Sequence, residues 1–420
     1  MNQEVKELNE ILLAEAPVVF RLLSERGKEA FFPKKGIFAQ TSEAKGKQYN
    51  ATAGQAFNND GTPLSLHSMT NHIEISDADA LLYAPSYGKK ELRDAWQKEI
   101  LRKNHSFDGA LSLPIVTAGL THGLFLSKLL FLNDGEKIII PDCMWGNYKL
   151  IFHGCVLNTF PSFVDTGFNV AGLKEKLMSD GVKKVVLLNF PNNPTGYTLT
   201  DSEAEEIITV FKEAASQGKE IVVVLDDAYF GLVYEKGVFR ESLFAKLANL
   251  HQNILCIKID GVSKELFAWG LRVGFFTFGW KGLSQESMDV LENKITGLVR
   301  GTVSNVCAQS QTLSLKALQS PEFSSDKERT YSVLKERYDE VRRVLDSHPE
   351  YTKQFEAMPF NSGYFMCIRL LHANADDVRR KLLEMDCGLI AMGGMLRIAY
   401  SSLPTSAIEL FFEKIFSVCQ

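Results

Sequence analysis

What this chain of 420 residues lacks closes off several classes of function. It has no basic excess: lysine and arginine number 46 against 51 aspartates and glutamates, a formal net charge of −5. Nucleic acid is therefore not expected as the main partner. No apolar run approaches the roughly 18 residues that a membrane helix needs, so no membrane partner is expected either. The seven cysteines (Cys143, Cys155, Cys256, Cys307, Cys367, Cys387 and Cys419) are scattered, odd in number and form no CxxC pair. They read as buried free thiols in a reducing compartment. The N-terminal stretch MNQEVKELNEILLAEAPVVF is acidic throughout and lacks a signal-peptide layout. There is no GxGxxG fingerprint, no GxxxxGK[ST] phosphate loop, and no HExxH or other metal spacing. The expectation is a cytoplasmic protein without a metal centre.

What is present is an ordinary globular composition, 45% hydrophobic and 23% charged, in a chain too long for one small core. One large domain and a smaller one are expected. Residues 1 to about 30 place apolar residues at helical spacing (Val5, Leu8, Ile11, Leu12), with Pro17 interrupting, as an amphipathic arm would. A helix is expected from about Lys89 to Lys103. From Leu113 to Gly279, short apolar runs (PIVTA, EKIII, KKVVLLNF, EIVVVLD, NILCIKI, VGFFTFG) alternate with helical stretches. One of these stretches opens with the capping box Thr200-x-x-Glu203. Such alternation indicates an α/β fold with a mainly parallel sheet covered on both faces. A long helix over Ser324 to Leu345 and a strand–helix–strand unit after Tyr364 are expected to form the smaller domain with the N-terminal segment. The boundaries are 56–322 for the large domain, and 1–55 with 323–420 for the small one.

In such sheets ligands sit beyond the carboxyl ends of the strands, so the residues ending each run matter most. The stretch Ile254 to Gly279 presents Ser263-Lys264 between two apolar runs, followed by Arg272-Val-Gly274. A core has no use for such a lysine, and a surface lysine needs no such setting; Lys264 reads as a chemical reagent. The run KKVVLLNF leads into Pro191-Asn-Asn193-Pro-Thr-Gly196, which is either a well-made turn or a pair of amides aimed into the crevice. EIVVVLD ends in Asp226-Asp227-Ala-Tyr229, where a buried carboxylate needs a partner unless it caps a helix. PIVTA leads to Gly119-Leu120-Thr121, a helix start that can also seat a phosphate.

A lysine, a buried aspartate, an asparagine, an arginine eight past the lysine and an anion seat are what pyridoxal 5′-phosphate asks of a protein. The ordered set Asn193-Pro-Thr-Gly, Asp226-x-Ala-Tyr229, Ser263-Lys264 and Arg272-x-Gly274 resembles the class I/II aminotransferases, pyridoxal-phosphate enzymes of fold type I. The resemblance runs from about Asn50 and implies a large domain with a mainly parallel seven-stranded sheet between helices, plus a smaller α/β domain. It implies that Lys264 forms the cofactor aldimine and moves the proton, and that Asp226 holds the ring nitrogen protonated. Tyr229 and Asn193 would hydrogen-bond the phenolic oxygen. Arg272, Ser263, Leu120 and Thr121 would bind the phosphate, and Arg397 would grip the substrate α-carboxylate.

Two further stretches resemble the aspartate and aromatic aminotransferases. Pro141-Asp-Cys-Met-Trp145-Gly-Asn-Tyr148 implies that Trp145 stacks on the cofactor and borders the substrate. Leu298-Val-Arg300-Gly-Thr-Val-Ser-Asn305 implies that Arg300 reaches across a dimer to a dicarboxylic side chain, although Gly301 stands where proline is common. Tyr83 would reach the partner's phosphate and Gly54 would line the substrate site, so each site needs two chains of a homodimer. In one departure, Gly261 replaces the serine or threonine usual three residues before the lysine, and Asp260 brings a carboxylate nearby. The function implied is ping-pong transamination between an L-amino acid (aspartate, glutamate or aromatic) and a 2-oxo acid. A β-lyase on the same fold is the alternative, since the same lysine and aspartate serve both. A ligand-sensing regulator is the third reading, for which the first 50 residues are too short and too acidic to add a DNA-binding region.

Overall fold

The computed structural model describes residues 3–31, 36–282 and 284–420. The apolar runs assemble into one seven-stranded sheet: β1 Ile115–Thr117, β2 Lys137–Pro141, β3 Val156–Phe160, β4 Lys183–Asn189, β5 Glu220–Asp226, β6 Ile254–Gly261 and β7 Gly274–Trp280. The order across it is β1-β7-β6-β5-β4-β2-β3. The pairs among β2 to β6 are all parallel, while β7 runs antiparallel to β6 and β1. Alternate residues of the same strands feed two cores. Leu187, Val224 and Ile257 enter one, and Val186, Val223 and Cys256 enter the other, as a sheet covered on both faces requires. Six strands are the runs read from the sequence. The seventh, β3 (VLNTF), lies at the sheet edge with Val156 exposed, so its mixed polarity hid it.

The longer helices are α1 Gln3–Glu15, α2 Lys90–Lys103, α3 Leu120–Phe131, α4 Val170–Met178, α5 Asp201–Ser216, α6 Gln285–Thr302, α7 Ala308–Gln319, α8 Phe323–Ser347, α9 Ala375–Glu384 and α10 Ile408–Cys419. The capping box forms: the Thr200 hydroxyl accepts from the Glu203 amide at 3.2 Å and the Glu203 carboxylate accepts from the Thr200 amide at 2.7 Å. Pro17 opens a second short helix, Pro17–Leu22, at a position where its missing N–H is no loss.

A second, antiparallel sheet follows, built from β8 Phe355–Ala357, β9 Met366–Leu370, β10 Ile390–Met392 and β11 Met395–Ile398 in the order β8-β9-β11-β10. The segment before residue 55 joins this part: Tyr49–Asn50 pairs in parallel with Cys387–Gly388, and the Gln40 amide bonds both ways with Ala391. Among the described residues no helix is long and apolar enough to cross a membrane, and no three metal-ligating side chains gather.

Candidate active site

β4, β5 and β6 deliver their carboxyl ends side by side, with Asn189 opposite Asp226 and Asp226 opposite Ile259. Beyond them opens a cleft of about 1100 Å³. Eleven of the residues picked out in the sequence line it: Gly54, Leu120, Thr121, Trp145, Asn193, Asp226, Tyr229, Ser263, Lys264, Arg272 and Arg397.

Asp226 is 3% exposed. Its carboxylate accepts from the Tyr148 hydroxyl at 2.6 Å and from the Ala228 amide at 3.2 Å. Burial pushes this carboxyl up to about 6; the Tyr148 hydrogen bond and the Lys264 charge pull against that rise. Lys264 is half-buried, its Nζ 5.2 Å from the centre of the Tyr229 ring. Burial draws its ammonium down to about 8; Asp226 opposes the fall and Arg272 adds to it. Tyr229 is held far above the ordinary phenol range by burial, against the opposing pull of the Arg397 charge and a hydrogen bond with Asn193.

The turn that carries Lys264 is packed backbone on backbone. β6 ends at Gly261, and Val262–Glu265 makes one helical turn. Arg272 then takes the left-handed conformation (φ 53°), in which a side chain is strained. That strain aims its guanidinium under Gly119, where a Cβ would collide with it. A Cβ on Gly274 would come within 2.7 Å of the Gly119 carbonyl carbon and 2.9 Å of the Leu120 nitrogen. The Arg-x-Gly motif is therefore the seat of the α3 N-terminus. Ser263 completes the cradle: its Oγ is buried and has no partner among the described residues. Free first-turn amides, an unpartnered hydroxyl and a guanidinium make a site for a phosphate group.

The departure at Gly261 has a local cause. A Cβ there would lie 2.6 Å from the Val273 carbonyl oxygen and 2.8 Å from the Gly274 Cα, so the backbones leave no room for serine or threonine. The expectation of a carboxylate near the cofactor is corrected as well. Asp260 does not line the cleft; it is fully buried behind the strand, accepting from the Trp96 indole N–H at 2.9 Å.

On the opposite wall Arg397 projects from β11, 4% exposed. It donates to the Thr52 carbonyl at 2.8 Å and the Asn193 side-chain oxygen at 3.4 Å, and lies 4.5 Å from the Phe365 ring centre. Its Nε is buried without a partner, and no carboxylate pairs with it among the described residues. A cation buried this way lacks the anion that would offset its desolvation. Trp145 is half-buried, edge-on to Tyr148 at 5.6 Å. Gly54 faces Phe365, with ordinary contact space for a Cβ.

Two of the residues read from the sequence are not brought to this cleft by their own chain. Tyr83 is 92% exposed, and Arg300 stands exposed at the end of α6, donating to the Ser304 hydroxyl at 2.8 Å. Two others were missed. Tyr148 holds Asp226, and Asn189 donates from its side chain to the Asp226 carbonyl at 2.6 Å while accepting from the Asn193 amide at 2.8 Å. The only sequence signal for Asn189 was a polar residue closing an apolar run. Together the acid–amine pair, the phosphate cradle and an arginine with no carboxylate partner among the described residues fit pyridoxal 5′-phosphate and an amino acid carboxylate.

Comparison with known proteins agrees. The model of a family described as aminotransferase class I and II matches residues 52–415. The chain is 27% identical over 223 residues to a probable N-acetyl-LL-diaminopimelate aminotransferase of Bacillus subtilis, covering 52% of this chain and 53% of that one. It is 26% identical over 273 residues to a probable aspartate/prephenate aminotransferase of Aquifex aeolicus, covering 64% of each. The chain thus spans about half to two-thirds of the length of these curated relatives. Among solved structures, an aminotransferase of Anaerococcus prevotii superposes with a TM-score of 0.83 at 24% identity, covering 94% of this chain and 98% of that one. Aspartate aminotransferase of Thermus thermophilus with maleate gives 0.74 at 19% identity, covering 94% and 99%. At these identities the structures speak for the fold, which is that of the fold-type I enzymes. The matched region takes in the cleft from Thr52 to Arg397, and the chain belongs to the class I and II aminotransferases, a pyridoxal 5′-phosphate-dependent family.

Proposed function

We propose that this chain is an aminotransferase that passes the amino group of an L-amino acid to a 2-oxo acid in a ping-pong sequence. Lys264 is the amine that would hold the cofactor. Arg397 carries the reading: a buried guanidinium with no counter-ion among the described residues, in the cleft that holds Lys264 and Asp226, awaits a carboxylate from outside.

When bound, the cofactor supplies an electron sink that stabilises negative charge at the substrate Cα. The protein does the rest. Asp226, ionised at neutral pH by its Tyr148 hydrogen bond and the nearby Lys264 charge, keeps a proton on the ring nitrogen. Lys264, drawn down to about 8, is poised to take and return the proton at the substrate Cα near neutral pH. Arg272, Ser263, Leu120 and Thr121 would hold the phosphate, while Tyr229 and Asn193 would serve the phenolic oxygen. Trp145 would border the ring, and Arg397 would orient the α-carboxylate. Aspartate or glutamate, or aromatic amino acids, are the proposed donors. In a cytoplasmic homodimer, Arg300 and Tyr83 of each chain serve the other's site. Residues 56–322 form the cofactor-binding domain, and 1–55 with 323–420 the domain that carries Arg397.

Adding amino acids singly to the loaded protein tests this. The visible band of the cofactor should be lost with a dicarboxylic or aromatic amino acid and return with 2-oxoglutarate. Release of ammonia and pyruvate from a cysteine-type substrate, with no need for a 2-oxo acid, would overturn it in favour of a β-lyase.

A further inference from the structure

Behind the reactive pair lies a buried cluster of charge that the mechanism above does not use. Lys258 on β6 is 0% exposed and contacts the Asp227 carboxylate, with Asp260 at 3.4 Å. Asp227 also accepts from the Ser242 hydroxyl at 2.6 Å, and Asp260 from the Trp96 indole at 2.9 Å. Beside them Glu265 takes Lys103 of α2 at 2.5 Å and Lys327 of α8 at 3.7 Å. The Phe230 ring lies between the lysines, 4.4 Å from Lys258 Nζ and 5.0 Å from Lys103 Nζ. Three cations balance three anions, with Lys258 and the three carboxylates buried and Lys103 and Lys327 reaching in from the partly exposed rim.

Placement distinguishes this cluster from a merely structural one. Asp227 directly follows Asp226, Asp260 directly precedes the turn at Gly261, and Glu265 directly follows Lys264. Each carboxylate is thus one peptide bond from a working residue or its turn. Replacing such a cluster with apolar side chains is often neutral for stability, so the charges call for another role.

We propose that Lys258, bridging Asp227 and Asp260, is a positioning residue for the reactive pair. It ties the end of β5 to the turn carrying Lys264 and neutralises the charge one residue behind Asp226. This rests on the function proposed above. The charge of Asp227 already raises the proton affinity of Asp226; Lys258 is its counterweight. The groups that set the local potential are Asp226, Asp227, Lys258, Asp260, Lys264, Glu265, Arg272, Lys103 and Lys327, with Glu99 and Arg102 beside the last two and the Tyr148, Tyr229 and Ser242 hydroxyls.

The test follows the pH midpoint of the visible band of the loaded protein. In Lys258→Met the two carboxylates lose their counter-charge, and the midpoint should rise by about one pH unit. Asp227→Asn, which keeps the shape and removes one negative charge, should lower it, and the double variant K258M/D227N should return it towards the wild type. Asp227→Asn leaves no unpaired buried anion beyond those already held, so it reports even if Lys258→Met fails to fold. Melting temperatures that fall in both single variants while both midpoints stay at the wild-type value would overturn the proposal and leave a structural salt bridge. No visible band in the loaded wild type, or an unchanged band in Lys264→Ala, would instead sink the underlying function.

Discussion

Proton affinities at the cleft converge from those of free side chains: Asp226 is drawn up to about 6 and Lys264 down to about 8. Both shifts start from burial, so both weaken the cofactor-free fold when the groups are charged. The raised Asp226 contributes stability below about pH 4 that is lost as pH rises through 6. The depressed Lys264 contributes stability above about pH 10 that is lost as pH falls through 8. The cofactor-free protein should therefore gain most from its ligand between pH 6 and 8, seen as the largest rise in melting temperature on loading in that window. Tyr148→Phe removes the hydrogen bond that holds Asp226 down. The acid limb of its pH–rate profile should move up by about one unit, and an unmoved limb would deny Tyr148 that role. At Gly261 the prediction is steric. Gly261→Ser, restoring the hydroxyl usual in the family, should cost about 2 kcal/mol in thermal unfolding and win no cofactor affinity, because its Cβ meets the Val273 carbonyl.

Strand ends explain why so much of the site could be read from the chain. A buried parallel strand is a continuous apolar run, and the residues that break it stand at the carboxyl edge; hence Asp226, at the end of β5, and Asn193, Tyr229 and Ser263, just past the ends of β4, β5 and β6, were visible in advance. Residues whose meaning lies in a partner far along the chain were not. Tyr148 meets Asp226 across 78 positions and Trp96 meets Asp260 across 164; no spacing rule spans such gaps. The edge strand β3 was missed because half of it faces water. The Gly261 backbone contact was also invisible, since it is a property of two strands and not of one residue. Asn189 belongs to this scale, for it fastens the end of β4 to the end of β5 and holds the Asn193 amide. Asn189→Ala should cost about 1–3 kcal/mol of stability by leaving those groups unpaired. It should also lower kcat more than it raises KM, because Asn193 serves the cofactor from the loosened turn; equal stability loss with untouched kcat would confine Asn189 to the fold.

At the scale of the whole molecule, two residues read as site residues do not line the cleft of their own chain, and that is informative. Tyr83 is 92% exposed and is preceded by Leu81 and Leu82 at 77% and 67%; Ile11 and Leu22 of the N-terminal segment are exposed as well. So much uncovered apolar surface suits a face that another copy covers. If Arg300 serves the partner's site, chains with complementary defects should repair each other. A Lys264→Ala chain has no reactive amine but carries an intact Arg300. An Arg300→Ala chain keeps its amine and lacks the arginine its partner's site needs. Alone, the first should be inactive and the second poor with aspartate. In a hybrid dimer, one site combines Lys264 of one chain with Arg300 of the other, and it should work at the wild-type preference for aspartate over alanine. Mixing, unfolding and refolding the two variants together should restore aspartate activity, with the alanine activity of Arg300→Ala as an internal reference. Were the mixture no better with aspartate than Arg300→Ala alone, Arg300 would be a solvated helix-end residue and the dicarboxylate preference would lose its support.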